Sequence, residues 1–247
     1  MDSMVVTGAG SGIGAATCRR LARRGVALVI HTGSNRAGAE SVALDCQAVP
    51  TRVVVGDLRD ATTIDMLLDE ARALGRLCGV VANAGFADRR SLGELDDAAI
   101  ERSLGVMVVA LGRLLRESMD PLRASAASGG LGRFVAVSSF VAHRFTSGAS
   151  NFAASAAAKA GVEALVRSAA AELAPSGVTV NAVAPGFVRK ESAGALTASQ
   201  WTDALARIPM GRLATPDDIA GTIAFLLGPD AAYLTGQVLH VDGGLAL

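Results

Sequence analysis

The sequence predicts a three-layer, doubly wound α/β fold: a parallel sheet with helices on both faces. Three observations carry that expectation. Short β-branched runs alternate with helical patterns from one end of the chain to the other, and such an order buries a parallel sheet between two helical layers. A glycine-rich turn, Thr7-Gly8-Ala9-Gly10-Ser11-Gly12-Ile13-Gly14, joins the first apolar run to the first helical pattern. The core must be aliphatic, because hydrophobic residues make up 51% of the 247-residue chain and aromatics only 4%. One domain covering residues 1–247 suits this length.

The elements follow in order. Met4-Val5-Val6 reads as a buried strand that runs into the glycine turn, and the helix after it stops at Gly25. Val26-Ala27-Leu28-Val29-Ile30 is a second buried strand, since a short β-branched run after a glycine stop typifies parallel sheets. Ala39, Val42, Ala43 and Cys46 recur at helical spacing. Arg52 to Val55 is the third strand, ending at Gly56-Asp57-Leu58. Ile64, Leu67, Leu68, Ala71 and Leu74 line one helix face, closed by Gly75. Cys78 to Ala82 is the fourth strand and leads to Asn83-Ala84-Gly85. A long helix over about Asp97 to Leu122 carries Leu104, Met107, Val108, Leu111 and Leu115 on one face. Ser125 to Gly130 is the most flexible-looking stretch. Arg133 to Ser138 is the fifth strand, Ser150 to Ala174 a helix and Val178 to Ala184 the sixth strand. A helix near Pro216 to Leu227 and a last strand, Gln237 to Val241, complete the chain.

The glycines have distinct physical duties. Gly8 takes backbone angles closed to other residues, Gly12 leaves room for a phosphate beside the main chain, and Gly14 lets the helix pack closely on the sheet. The first-turn N–H groups, with the helix dipole behind them, then face an anion. A dinucleotide diphosphate fits. Ligands of such sheets sit beyond the carboxyl ends of the strands, which gathers Gly8 to Gly14, Thr32 to Arg36, Asp57, Asn83, Ser139 and Pro185-Gly186 into one neighbourhood.

Composition narrows the partners. Lysine plus arginine equals aspartate plus glutamate at 23 each, so nothing marks a nucleic-acid surface or an anionic membrane. Cys18, Cys46 and Cys78 lie far apart without metal-ligand spacing and read as buried reduced thiols; no metal is expected. No apolar run approaches the roughly 18 residues that span a bilayer, and Met1-Asp2-Ser3 is not the basic start of a signal peptide. A cytoplasmic protein is expected.

Six motifs in order make the chain resemble a short-chain dehydrogenase/reductase: Thr7-Gly8-x-x-x-Gly12-x-Gly14, Asn83-Ala84-Gly85, Val137-Ser138-Ser139, Lys159-Ala160-Gly161, Val180-Asn181-Ala182-Val183-Ala184-Pro185-Gly186, and Thr235-Gly236 with Val241-Asp242-Gly243-Gly244. The resemblance implies a seven-stranded Rossmann sheet, a nicotinamide dinucleotide, a small-molecule substrate, and a homotetramer or homodimer. It places Gly8, Ser11, Gly12, Ile13 and Gly14 along the cofactor, Asp57 and Leu58 at the adenine, and Asn83, Ala84 and Gly85 on the adenosine ribose side. Lys159 would meet the nicotinamide ribose, and Pro185, Gly186 and Val188 the nicotinamide. An acidic residue after the second strand would bind a free ribose 2′-OH. This chain instead has Thr32, Asn35 and Arg36 among His31-Thr32-Gly33-Ser34-Asn35-Arg36, which favours NADP(H), with NAD(H) the alternative.

The family's chemistry uses a tyrosine phenol, a lysine four residues later, a serine and an asparagine. Ser139 and Lys159 match. Four residues before Lys159 stands Ser155, thirteen after Ser139 stands Phe152, and the asparagine position is Met107. Tyr233, the only tyrosine, lies near the end, and Lys190 replaces a customary threonine. The interval from Ser139 to Lys159 is three residues longer than usual, which places Phe152, Ser155 and Lys159 on one helix face. Enoyl-acyl-carrier-protein reductases resemble this spacing with a tyrosine at the Phe152 position. 2,4-Dienoyl-CoA reductases have a serine at the Ser155 position and a further tyrosine where Phe140 stands here.

The expected catalytic group is therefore Ser139, Ser155 and Lys159, with Lys159 relaying a proton through Ser155 and His143 a second source of an acid. Two functions are open: an NADP(H)-dependent oxidoreductase acting on a carbonyl, an alcohol or an enoyl C=C, or a dinucleotide-binding homologue without turnover that serves as a partner or regulatory subunit. Specificity is expected in a substrate lid, Gly186 to Met210, with Arg189, Lys190 and Trp201, and in the Phe86 to Leu92 loop.

Overall fold

Each apolar run becomes a strand of one sheet in a computed structural model that describes residues 1–147, 151–189 and 205–247. The strands are β1 (Asp2–Val6), β2 (Ala27–Thr32), β3 (Thr51–Val55), β4 (Arg76–Ala82), β5 (Arg133–Val137), β6 (Thr179–Pro185) and β7 (Val238–Val241). They pair in parallel in the order β3-β2-β1-β4-β5-β6-β7. Three helices follow the first three strands: α1 (Gly12–Ala22), α2 (Arg36–Asp45) and α3 (Ala61–Leu74). After β4 come α4 (Asp97–Leu104) and α5 (Ala110–Ala127), then α6 (Ala153–Leu173) and α7 (Pro216–Leu226).

Strand residues alternate between two cores, as period-2 geometry demands. Val5, Val29, Val80, Phe134 and Val180 join α3, α5 and α6 on one face. Met4, Val6, Leu28, Ile30, Val81, Val135 and Val183 join α1, α2 and α7 on the other. The chain runs outward from β1 to β3, then crosses back to β4, so the strand order reverses between β1 and β4. That reversal opens a crevice at their carboxyl ends.

Four local expectations are corrected. The long helix is interrupted: a π-helical turn, Gly105–Val109, separates α4 from α5 and centres on Met107. Such a turn widens one loop of the ladder without changing the apolar stripe, so periodicity does not reveal it. Helix α6 starts at Ala153 rather than Ser150, because Phe152 adopts the left-handed conformation (φ 53°, ψ 51°) and cannot open a helix. Phe152 therefore caps α6 instead of sharing a helical face with Ser155 and Lys159. The segment Ser125 to Gly130 is ordered: Ser125 Oγ donates to Leu131 O at 2.6 Å, and Gly129, at φ 78°, gives α5 a left-handed stop. His31 and Thr32 belong to β2 and are buried rather than looped out.

The three cysteines are free and buried. No helix among the described residues is long and apolar enough to cross a membrane.

Candidate active site

The glycine turn has the shape that its composition requires. Gly8 (φ 63°) and Gly12 (φ 56°) are both left-handed. A side chain on Gly12 would project into open space, whereas one on Gly14 would lie 2.5 Å from Gly8 O and 2.7 Å from Asn83 Nδ2. Gly12 thus leaves a cradle open and Gly14 holds α1 against the sheet. Ser11 sits at the N-cap of α1 with its hydroxyl unbonded to the helix, and the first intrahelical bond is Ala15 N to Ser11 O at 3.2 Å. The amides of Gly12, Ile13 and Gly14 precede that bond and are left to face a ligand.

Side chains from neighbouring turns brace this cradle. Thr7 Oγ1 accepts the amides of Asn83 (3.0 Å) and Ala84 (3.1 Å), and Asn83 Nδ2 donates to both Thr7 O and Gly8 O at 2.9 Å. Asn35 Nδ2 donates to Gly10 O at 3.1 Å while its Oδ1 caps α2 by accepting the Gly38 amide. Thr32 Oγ1 accepts the Asn35 amide at 3.3 Å. Thr7 and His31 are functional neighbours that the motif reading did not single out. His31 Nδ1 accepts the Gly8 amide at 3.3 Å, and Nε2 donates to Gly56 O at 3.0 Å. Those bonds require the neutral ring, and burial lowers its pKa accordingly.

At the end of β2 and beyond it, Thr32 and Asn35 shape the turn, while Arg36 is exposed and lies 3.6 Å from Glu40. Asp57 grips the Arg59 guanidinium at 2.6 Å and its amide at 2.8 Å, and these bonds hold its carboxyl below the usual range. Leu58 lines a small apolar cleft with Thr7, Ala84, Val106 and Met107.

On the far side of the crevice, Lys159 Nζ donates to Val137 O at 2.6 Å. Gly85 lies against it: a side chain there would come 3.5 Å from Nζ and 3.4 Å from Met107 Sδ. Burial lowers the Lys159 pKa to about 8, against the opposing pull of Glu163. Ser139 is half-buried and caps the short 3-10 turn Phe140–Ala142, its Oγ accepting the Val141 amide at a long 3.4 Å. Ser155 is buried and faces elsewhere: its Oγ accepts the Asp88 amide at 2.8 Å. Asp88 in turn binds Arg90 at 2.6 Å, and Arg102 lies over the Phe86 ring, so the Phe86 to Leu92 loop is braced.

His143 does not face the crevice alone but pairs through Nε2 with buried Glu163 at 2.7 Å. Glu163 Oε1 also accepts from Ser138 Oγ at 2.6 Å. The strand β6 delivers Pro185 and Gly186 against β7, where a side chain on Gly186 would meet Asp242 at 2.9 Å, and Val188 bridges Ala214. A small open crevice next to Ser139 is walled by Phe140, Phe152 and Phe187. Tyr233 is fully exposed. Lys190, Trp201 and most of the lid segment lie outside the described residues.

A glycine cradle at the carboxyl edge of one doubly wound sheet places the chain in the Rossmann class. Comparison with known proteins narrows the class. A family model described as Enoyl-(Acyl carrier protein) reductase matches residues 8–246. A cis-4-hydroxycyclohexanecarboxylate dehydrogenase from Sinomonas cyclohexanicum is 41% identical over 97% of this chain and 94% of its own. The 3-oxoacyl-[acyl-carrier-protein] reductase FabG of Escherichia coli (strain K12) is 36% identical over 98% of this chain and 96% of its own. The crystal structure of a protein described as a β-ketoacyl-ACP reductase superposes with a TM-score of 0.85 at 30% identity, covering 99% of this chain and 98% of that one. The chain belongs to the short-chain dehydrogenase/reductase family.

Proposed function

We propose that this oxidoreductase binds NADP(H) along the glycine cradle and interconverts a carbonyl and an alcohol at Ser139 and Lys159. The single observation that carries the reading is that the buried Lys159 amine lies against Gly85, next to the Ala84 that packs on Gly8 of the open cradle. The residues fit a dinucleotide: the amides of Gly12 to Gly14 and the Ser11 hydroxyl would hold its diphosphate, Ala84 and Leu58 would flank the adenosine, and Pro185, Gly186 and Val188 would back the nicotinamide. When bound, the nicotinamide supplies or takes up the hydride. NADP(H) is preferred because the turn from Thr32 to Arg36 carries no carboxylate, Asp57 is already engaged by Arg59, and Arg36 stands exposed at the N-terminus of α2. The activities for which the Sinomonas and E. coli relatives are named support carbonyl or alcohol chemistry over an enoyl C=C.

Ser139 holds the substrate oxygen, since its one long hydrogen bond leaves the hydroxyl proton free to donate. Lys159 is the proton reservoir: a pKa of about 8 lets it give up or accept a proton near neutral pH. Ser155, whose lone pair already serves the Asp88 amide, anchors the loop that borders the site. Three buried free thiols support a reducing, cytoplasmic setting. Membership of the short-chain dehydrogenase/reductase family supports a homotetramer or homodimer.

One observation favours the second reading, a dinucleotide-binding partner or regulatory subunit without turnover: no phenol lines the crevice, and the one tyrosine is on the surface. Calorimetry with NADPH and NADH, followed by absorbance of the reduced cofactor with a panel of ketones and enoyl thioesters, separates the two. Ketone-dependent oxidation that disappears in Lys159→Ala supports the enzyme. Nucleotide binding with no oxidation across the panel selects the subunit. Failure of both nucleotides to bind overturns both.

A further inference from the structure

The crevice beside Ser139 has a composition of its own. Phe140 and Phe187 pack with ring centroids 4.7 Å apart at 53°, and Phe152 closes a third wall. The left-handed backbone of Phe152 is fixed by its neighbour, because Asn151 Oδ1 accepts the Thr146 amide at 2.8 Å and Nδ2 donates back to Thr146 O at 3.3 Å. Two guanidinium groups, Arg144 and Arg207, line the same space, and among the described residues no acidic side chain does.

Both cations are placed by one piece of backbone, the turn that ends the chain. Asp242 accepts the amides of Gly244 (2.9 Å) and Ala246 (3.0 Å) and so presents Leu245 O, to which Arg144 Nη1 donates. The same turn holds the segment of Arg207: Met210 N donates to Gly243 O at 3.1 Å, and Gly243 packs against Ile208. Arg144 is therefore anchored by a neutral carbonyl, and among the described residues no carboxylate pairs with its guanidinium. A planar fork of that kind matches a carboxylate in two-point contact, and fixed aromatic walls suit an apolar body of compact size.

We infer that the crevice takes a compact apolar substrate bearing a carboxylate, with its ring or short chain between Phe152 and the packed Phe140–Phe187 pair and its anion between Arg144 and Arg207. This inference rests on the function proposed above and names the substrate class for the same site.

The test is calorimetry of cyclohexanecarboxylate and of the neutral cyclohexanecarboxamide on full-length protein saturated with NADP⁺. The acid is expected to bind at least tenfold tighter than the amide. Arg207→Ala, at an exposed position, is expected to weaken the acid at least tenfold and leave the amide unchanged. Arg144→Lys keeps a charge but removes the planar fork, and is expected to weaken the acid severalfold. An amide that binds as well as the acid, or two variants that bind the acid like the native protein, overturns the inference. If that happens while NADP⁺ still binds, the proposed function stands. A preference for the acid in a protein that binds neither nucleotide upholds the crevice's selectivity and overturns the function.

Discussion

The two flanks of the crevice are built differently. On the β1 to β4 flank, Thr7, His31, Asn35 and Asn83 all spend their side chains on main-chain groups of a neighbouring turn, over sequence separations of 23 to 77 residues. What a nucleotide would touch there is backbone held in shape. On the β5 to β7 flank main-chain bonds such as Lys159 Nζ to Val137 O are joined by contacts between side chains: Glu163 with Ser138 and His143, and Phe140 with Phe187 at the edge of a phenylalanine cage. Binding of a diphosphate depends on amide geometry, whereas a reaction depends on which functional groups are present. The functional groups on the β5 to β7 flank can therefore vary while the cradle opposite keeps its form.

The largest effect that would test this contrast is at Gly14. Gly14→Ala places a methyl group 2.5 Å from Gly8 O and 2.8 Å from Ala9 Cα, closer than any real contact, and both neighbours are backbone. Loss of NADPH binding by more than about 100-fold, with a lowered melting temperature, is expected because the turn itself must shift. Gly12→Ala meets no atom and costs only the left-handed strain of about 1–2 kcal/mol. Calorimetry on the two variants side by side measures the difference, and equal losses would show that the cradle is not set by packing.

Lys159→Met acts on the other flank. Turnover is expected to fall by about 10²- to 10⁴-fold while the chain stays folded, because a buried amine is removed rather than a packing group. The pH dependence gives a second signature. The folded pKa of about 8 lies below the ordinary lysine value, so between pH 8 and the unfolded value near 10.5 the folded chain holds fewer protons than the unfolded one. The native protein should gain stability from this residue as pH rises through that window, and Lys159→Met should lose that gain. Denaturant melts at half-unit steps above pH 7 record it. Reduction by the native enzyme should decline above about pH 8, where Lys159 has given up its proton.

The sequence displayed the sheet and the cradle because both are written locally. A buried parallel strand is an apolar run, and the duties of Gly8, Gly12 and Gly14 follow from what a missing Cβ permits. The β5 to β7 flank was less legible. A π-helical turn at Met107 leaves the hydrophobic stripe intact, and the left-handed Phe152 shows only when the Thr146 and Asn151 pairing is seen. Ser155 stands one helical turn from Lys159, and that spacing suggested a shared task. Its partner, the Asp88 amide, is 67 residues away, and no motif links the two. The Ser- and Gly-rich stretch from Ser125 to Gly130 looked loose by composition but closes α5 through Ser125 and Gly129.

Ser155→Ala sharpens that last point. Removing the hydroxyl leaves the buried Asp88 amide without its acceptor, an expected loss of about 1–3 kcal/mol, and the rate should change by less than about tenfold because the oxygen-holding hydroxyl is Ser139. Urea melts together with kcat and KM decide it. A rate loss equal to that of Lys159→Met, with stability unchanged, would return Ser155 to the reacting group.

His31 carries the smallest effect, and it belongs to the cradle flank. Its folded pKa is depressed by burial, so above about pH 6.5 the ring is neutral whether the chain is folded or not and contributes no pH dependence. As pH falls below that value the unfolded chain takes up the proton first. Stability then drops by no more than about 1.4 kcal/mol per pH unit until the folded ring protonates too. Once protonated, Nδ1 becomes a donor and loses the Gly8 amide, so nucleotide affinity should weaken in the same acidic window. His31→Gln offers an acceptor to Gly8 and a donor to Gly56 without titrating. Comparing native and His31→Gln melts and NADPH affinities from pH 5 to 7 isolates the ring, because every other group is common to both. Parallel curves for the two proteins would remove His31 from the support of the glycine turn.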